Sequence, residues 1–272
     1  MIPESRLYSF IDHSSGFTFH FLEGQKLFLE LVQLTNLQSG ALSQYRDMVL
    51  SIQQLISFLK NGESIGFYID SKSPQYKFKM ESNYKGLTRI LLFPDQLKKI
   101  PQKVSGLARL IKIFPGKDKN DYQSLIELEN LSTEDIVNKL LKESYQTQAK
   151  IFLGESADQS LMIKKIPSTQ KVKASLINLD QYLKKMNSFI TQSLDGSFTD
   201  VEKIVEHFES NNLSYLGSKH IKFHCDCSRE RFTTNLAIIS ENDRNKIFQN
   251  DDSIEVTCDY CKKSYKILKK EV

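Results

Sequence analysis

The sequence predicts an α+β protein with three parts: a mixed strand and helix core over residues 1–169, a helical linker over 170–222, and a small C-terminal module over 223–272. Three observations carry this prediction. Runs of period two and of helical period interleave along the first part without strict strand–helix alternation. The pattern becomes wholly helical after Pro167, and the four cysteines of the chain all fall near its end.

Each element has its own signal. Phe17-Thr18-Phe19-His20-Phe21 alternates as a half-buried strand does. From Leu42, apolar residues at Tyr45, Val49, Ile52, Ile56 and Leu59 keep helical spacing, and Gly62 offers a C-terminal stop. Alternation returns at Ile65–Ile69 and Tyr76–Met80, on either side of the turn Ser71-Lys72-Ser73-Pro74, as a hairpin. Strands are expected at Leu87–Phe93, Leu107–Phe114 and Tyr122–Leu128, the last two separated by Pro115-Gly116. Ser132 or Thr133 starts a helix running to about Gln146, with Glu134 and Asp135 favourably placed in its first turn. Strands at Lys150–Leu153 and Leu161–Ile166 end the core. Beyond Pro167-Ser168-Thr169, residues Leu176, Leu179, Leu183, Met186, Ile190 and Leu194 follow helical spacing. A second helix opens at Thr199-Asp200-Val201-Glu202, read as a capping box, with Val201, Ile204, Val205 and Phe208 as its apolar stripe. On spacing alone, ordinary packing explains both helices.

Composition narrows the class. With 272 residues, 40% hydrophobic and 26% charged, the chain can bury a sizeable core and lacks the bias of disordered or fibrous proteins. No apolar run approaches the roughly 18 to 20 residues of a membrane span, and Met1-Ile2-Pro3-Glu4-Ser5-Arg6 does not begin a secretory signal, so no membrane role and a cytoplasmic location are expected. Thiols stay reduced there, and clustered cysteines read first as metal ligands or a redox device. The net charge is +4, but residues 223–272 hold nine Lys/Arg against nine Asp/Glu. A neutral cysteine module is a poor phosphate-binding surface, and no nucleic-acid partner is expected.

The cysteines form Cys225-Asp226-Cys227, thirty intervening residues, then Cys258-Asp259-Tyr260-Cys261. Four soft thiolates are the ligand set of a tetrahedral structural zinc site, and close pairs bring two sulfurs to the ion at once. The insertion should hold a short helix from Ser240 to about Gln249 and a strand at Ile254–Val256 that delivers the second pair. His220 and His224 lie nearby, but four sulfurs complete the tetrahedron. The spacing leaves two roles open: a folding staple, or a site that ejects its metal on oxidation. Flanking Arg229, Arg231, Lys262 and Lys263 would help keep the sulfurs ionised.

Enzyme motifs fail on context, and no catalytic residue is assigned. His207-Phe208-Glu209 lies within an amphipathic helix, and Thr257 stands where a deaminase motif requires proline. Gly62-Glu63-Ser64-Ile65-Gly66 runs from helix into strand, the reverse of a nucleophile elbow, and Ser57-Phe58-Leu59-Lys60 has no companion motif.

Phe223-His224-Cys225-Asp226-Cys227-Ser228-Arg229-Glu230-Arg231, followed by Ile254-Glu255-Val256-Thr257-Cys258-Asp259-Tyr260-Cys261, closely resembles the C-terminal zinc module of the 33 kDa chaperonin family, the redox-regulated holdases of bacteria. The likeness is sharp over the last fifty or so residues and thin before them. Lys85-Gly86-Leu87-Thr88-Arg89 is similar to an Arg-Gly-x-x-Arg run, but Ser124 stands where the family usually has glycine. The resemblance implies an ATP-independent chaperone, inactive while Cys225, Cys227, Cys258 and Cys261 hold one zinc ion. Oxidation would release the metal and form two disulfides, Cys225–Cys227 and Cys258–Cys261. The helical linker would then loosen, exposing apolar surface to unfolding client proteins, with a homodimer as a further family feature. The alternative from another class is a zinc-stabilised adaptor that binds one fixed protein or nucleic-acid partner and has no redox switching.

Overall fold

In the computed structural model, which describes residues 2–73, 75–116, 120–167, 177–249 and 251–272, the chain divides into two compact units, Met1–Phe223 and His224–Val272. The first unit opens with β1 (Arg6–Asp12) and β2 (Phe17–Glu23), then α1 (Gln25–Val32) and α2 (Ser39–Gln53), which tightens into a 3-10 turn at Gln54–Phe58. Five strands follow: β3 (Ser64–Lys72), β4 (Gln75–Asn83), β5 (Leu87–Phe93), β6 (Lys103–Ile113) and β7 (Tyr122–Ser132). After them come α3 (Thr133–Glu143), β8 (Ala149–Leu153), β9 (Gln159–Lys165), α4 (Leu179–Lys185), α5 (Asn187–Ser193), α6 (Val201–Glu209), β10 (Ser214–His220) and β11 (Lys222–Phe223). The second unit holds α7 (Arg229–Ile238), α8 (Glu241–Phe248), β12 (Ser253–Thr257), β13 (Ser264–Leu268) and a closing 3-10 turn.

Two sheets carry the first unit, with strand orders β10-β1-β2-β9-β8 and β11-β5-β4-β3-β6-β7. The inner face of the six-stranded sheet alternates cleanly: Tyr76, Phe78 and Met80 are buried, while Gln75 and Lys77 are exposed. That face packs with α1, α2, α3 and one face of the five-stranded sheet into a single large core. The other face of the five-stranded sheet presents Tyr8, Phe10, Phe17, Phe19 and Phe21, each almost wholly buried, and α4, α5 and α6 cover it. Strands β1 and β2 are thus apolar on both sides, as a central strand between two helical layers must be.

The expected elements are present, with four corrections. The first linker helix, expected as one run through Leu179, Leu183, Met186, Ile190 and Leu194, is broken at Met186, whose φ of -90 and ψ of 5 leave the helical range, into α4 and α5. The capping box at Thr199–Glu202 is displaced by one residue: Asp200 is the N-cap, its side chain accepting from Lys203 N at 2.9 Å. The helical linker does not stay helical to residue 222, because residues 214–220 form β10, which pairs with β1 and becomes the outer strand of the five-stranded sheet. Its low apolar content hides it; the ladder to β1, not propensity, makes it a strand. The helix from Leu42 ends as regular α-helix at Gln53, well before Gly62, which instead takes φ +82 in the turn before β3. Leu176, Ser168 and Thr169, expected at the start of the linker, and Pro74 of the hairpin turn lie outside the described residues. Among the described residues no helix is long and apolar enough to cross a membrane.

Gly86 shows why one position in Lys85–Arg89 tolerates no side chain. Its φ is +80, and a Cβ there would lie 1.9 Å from the His220 carbonyl oxygen. The close approach locks the end of β10 against the β4–β5 turn, and Lys222 N donates to Gly86 O at 3.1 Å.

Candidate metal centre

Local geometry explains how each cysteine pair is delivered. Cys225 and Cys227 occupy an irregular stretch between β11 and α7, and residues two apart on an extended chain point to the same side. Ser228 caps α7 by accepting from Arg231 N at 3.3 Å, so Cys227 stands just before a helix N-terminus, where the backbone dipole favours a thiolate. Cys258 and Cys261 sit at the tip of the β12–β13 hairpin, whose register closes at Thr257↔Ser264. Cys258 O accepts from Lys262 N at 2.8 Å, and Cys258 N donates to Lys263 O at 2.9 Å. Lys262 adopts φ +59 to make this knuckle, a left-handed conformation a non-glycine residue takes only where the surroundings impose it.

The four Sγ atoms all lie within 4.8 Å of one another. Two edges of the cluster are Cys225–Cys258 at 3.7 Å and Cys227–Cys261 at 3.3 Å, each joining the two pairs. A divalent ion about 2.3 Å from each of four sulfurs requires tetrahedral edges of about 3.8 Å. The donor set and its spacing therefore fit a four-coordinate metal ion. His224 is exposed, and neither it nor His220 belongs to the cluster.

Tyr265, on β13, completes the surroundings: its hydroxyl lies 3.2 Å from Cys227 Sγ and donates to Cys227 O at 3.1 Å. The sequence alone gave no reason to choose it among 11 tyrosines. As thiols the four groups are unequal. Burial resists ionisation of Cys227, but hydrogen bonds from Tyr265 and the neighbouring thiols outweigh it and bring its pKa to about 7. At Cys261, burial and the thiol contacts push the pKa up to about 12. A bound cation would reverse that resistance and hold all four as thiolates.

The basic flank is engaged differently from the expectation. Arg229 donates to Lys266 O at 3.0 Å and pairs with Glu271, and Arg231 pairs with Asp226 at 2.6 Å. Both guanidinium groups thus brace the module through carboxylates and carbonyls, which compete with the sulfurs for them. Elsewhere, His207 lies 2.9 Å from Ser193 Oγ and stacks on Phe198, half-buried in the helical layer. Ser64 begins β3 after a turn, as the order of elements predicted.

The fold and site define a class: an α+β unit followed by a small module that gathers four cysteines where a metal ion can bind. The Hsp33 protein family matches residues 5–268, and the chain belongs to that family. Relatives include the 33 kDa chaperonins of Agathobacter rectalis, 28% identical over 161 residues (48% of this chain, 56% of the relative), and of Photorhabdus laumondii, 21% identical over 229 residues (80% and 78%). That of Clostridium botulinum is 31% identical over 138 residues (47% and 45%). The chain spans about half the length of the first of these relatives. The crystal structure of the 33 kDa chaperonin from Thermotoga maritima superposes with a TM-score of 0.76 over 98% of this chain and 96% of that one, at 13% identity, which establishes a shared fold. The family is one of chaperones, not enzymes.

Proposed function

We propose that this protein is a redox-regulated, ATP-independent holdase, and that Cys225, Cys227, Cys258 and Cys261 hold one zinc ion in its reduced, inactive state. The single observation that carries the reading is the convergence of the only four cysteines within 4.8 Å, in a unit with little else to hold it together. Leu236, Phe248 and Ile267 are its buried apolar core. Modules of this size usually need a metal or disulfides to stay folded, and structural zinc supplies on the order of 10 to 16 kcal/mol of apparent binding energy.

Two equivalents of hydrogen peroxide would take the cluster to two disulfides, Cys225–Cys227 and Cys258–Cys261. Each pair of thiolates gives up two electrons, and each peroxide takes up two protons and leaves as two waters. The sulfurs then no longer serve as four anionic ligands, and the second unit loses its staple. Disorder beginning at His224 would release β11, which directly precedes it and has only a two-residue pairing to β5. Loosening then passes along the chain to β10 and α6. Lifting α4, α5 and α6 would uncover the aromatic face of Tyr8, Phe10, Phe17, Phe19 and Phe21, a surface large enough to hold unfolding clients.

The test compares suppression of thermal aggregation of a heat-labile client by the reduced, zinc-loaded protein and by the peroxide-treated protein. Activity confined to the oxidised form supports the switch. Equal activity in both forms, or none, defeats it. A zinc-stabilised adaptor would instead keep its metal under mild oxidant and gain no binding of an apolar dye.

A further inference from the structure

The sulfurs of the cluster receive their hydrogen bonds in different ways. Cys225 Sγ accepts from the backbone N–H of Cys227, and Cys261 Sγ from that of Lys263. Those donors belong to the turns that carry the cysteines, so any sequence adopting the turns provides them. Cys227 instead meets a side chain from another element. The hydroxyl of Tyr265 on β13 lies 3.2 Å from its Sγ and 3.1 Å from its carbonyl oxygen. The hairpin register sets Tyr265 opposite Val256, and its ring tilts against Phe232 of α7 at 5.4 Å, within the small apolar core. Packing therefore fixes where the hydroxyl oxygen sits, while rotation about its C–O bond decides which acceptor takes the proton.

A hydroxyl has one proton to give, and the charge on the sulfur settles the choice. Beside a neutral thiol the carbonyl oxygen is the better acceptor, because thiol sulfur accepts only weakly. Beside a thiolate the charge-assisted bond to sulfur is roughly twice as strong as a neutral one. Metal binding requires thiolates, so loading the ion turns the proton from the carbonyl to the sulfur without any movement of the ring. Arg229 and Arg231, which flank the pair, are engaged with Glu271 and Asp226.

We propose that Tyr265 is a positioning residue of the metal centre, whose hydroxyl donates to Cys227 Sγ once that sulfur is a metal-held thiolate, tightening retention of the ion and blunting this sulfur toward electrophiles. The proposal rests on the reading of the cluster as a metal site and adds a residue that sets how readily the site gives up its ion. A donor in this place holds the ligand in its orientation, and loss of such outer partners typically costs 10- to 100-fold in metal affinity. The same bond draws electron density from the lone pairs that attack an oxidant. No gain in ionised fraction offsets this, because the metal already keeps the sulfur a thiolate.

The experiment uses the reduced full-length protein, loaded with cobalt as a spectroscopic probe or with zinc. Three forms are compared: the parent, Tyr265→Phe, and the chain with a ring-fluorinated tyrosine, a stronger donor, at position 265 alone. Tyr265→Phe keeps the ring and its contact with Phe232 and removes only the hydroxyl. A hydrogen bond to sulfur stabilises the electrons that the sulfur-to-cobalt charge-transfer band excites. That band should move to longer wavelength in Tyr265→Phe and to shorter wavelength with the fluorinated ring. Competition with a chelator should show Tyr265→Phe holding zinc about 10- to 100-fold more weakly. With zinc bound, iodoacetamide should alkylate its Cys227, located by peptide mass spectrometry, about threefold faster or more. Weaker zinc binding with an unmoved band would leave the proton on the carbonyl, make Tyr265 a brace of the backbone alone and overturn the proposal. Equal bands and equal affinities in all three forms would overturn it too. Should Tyr265→Phe take up no cobalt, the fluorinated form decides, and an unmoved band there sinks the proposal. A parent that binds no metal defeats the metal-site reading itself, an outcome distinct from a parent that binds and a variant that matches it.

Discussion

Tyr182 of α4 stacks on Phe17 of β2 with ring centroids 3.9 Å apart and planes within 3°, and its hydroxyl donates to Asp12 Oδ2 at 2.7 Å. One side chain thus fastens the first helix of the covering layer to the sheet by both an aromatic contact and a charge-assisted hydrogen bond. Truncating Tyr182→Ala removes both and should cost about 3 to 5 kcal/mol of local stability. Tyr182→Phe should cost about 1.5 to 3 kcal/mol, since only the bond to the carboxylate is lost. In the proposed mechanism the alanine variant releases the helical layer without oxidant. It should suppress client aggregation while reduced and still hold zinc; a variant equally destabilised but inactive until oxidised would separate α4 from the switch.

His20 gives the first unit a pH dependence. It is buried on β2, its Nδ1 is 3.0 Å from Ser9 Oγ, and its Nε2 has no hydrogen-bond partner among the described residues. Burial, reinforced by Lys164 on β9 and Lys219 on β10, lowers its pKa from 6.5 to about 3. The unfolded chain therefore binds a proton below pH 6.5 that the folded chain refuses until about pH 3. Stability falls over that window by up to about 1.4 kcal/mol per pH unit. Urea unfolding at pH 7 and pH 5 should show a loss of about 2 kcal/mol beyond that of His20→Leu, whose buried side chain cannot titrate. Identical losses in the two proteins would mean that His20 is not the group responsible.

Legibility of the fold in the sequence follows the number of wet faces on each element. β4 was readable because Tyr76, Phe78 and Met80 alternate with solvated Gln75 and Lys77. β1 carried no such signal: Leu7 and Tyr8 are adjacent yet both buried, one in each core, so the alternation that marks a strand is erased. β10, with its serines and Gly217, becomes a strand only through its ladder to β1. α7 gives only a short signal: Phe232 and Leu236 lie one turn apart on the small core, but Ile238 is exposed and no extended apolar stripe marks the helix. The cluster was the opposite case, since four cysteines in a chain that has no others name themselves. What spacing could not give was their environment, because Arg229 and Arg231 choose between sulfurs and Glu271 and Asp226 only in three dimensions.

Lys112 on β6 pairs with Glu63 at 2.7 Å, with side-chain exposures of 14% and 8%, and also donates to Phe58 O at 3.2 Å. Removing one partner strands a nearly buried charge, so Glu63→Ala should cost about 3 to 5 kcal/mol, while Glu63→Gln with Lys112→Met should recover most of that loss. Chemical denaturation of the single and double variants measures the difference. Equal destabilisation in both would show that packing at this site, not the buried charge, sets the cost.

Replacing Cys258 and Cys261 by serine should separate the two units energetically. The second unit spans His224–Val272, and its three buried apolar side chains stabilise it by about 1.5 to 3 kcal/mol each, too little to order that length of chain. Without two of its four thiolates it should lose the metal and its fold together. The first unit has its own two cores and keeps its β1–β2 and β3–β4 ladders independently of the cluster. Metal analysis of the purified variant should therefore find no zinc. Amide NMR should show signals from residues 224–272 collapsed to random-coil positions while those of the paired strands stay dispersed. A chelator added to the unmodified reduced protein should reproduce the same spectrum and raise the reactive thiol count to four per chain. A dispersed second unit in the metal-free variant would show that its fold does not depend on the cluster, and the switch would lose its physical basis.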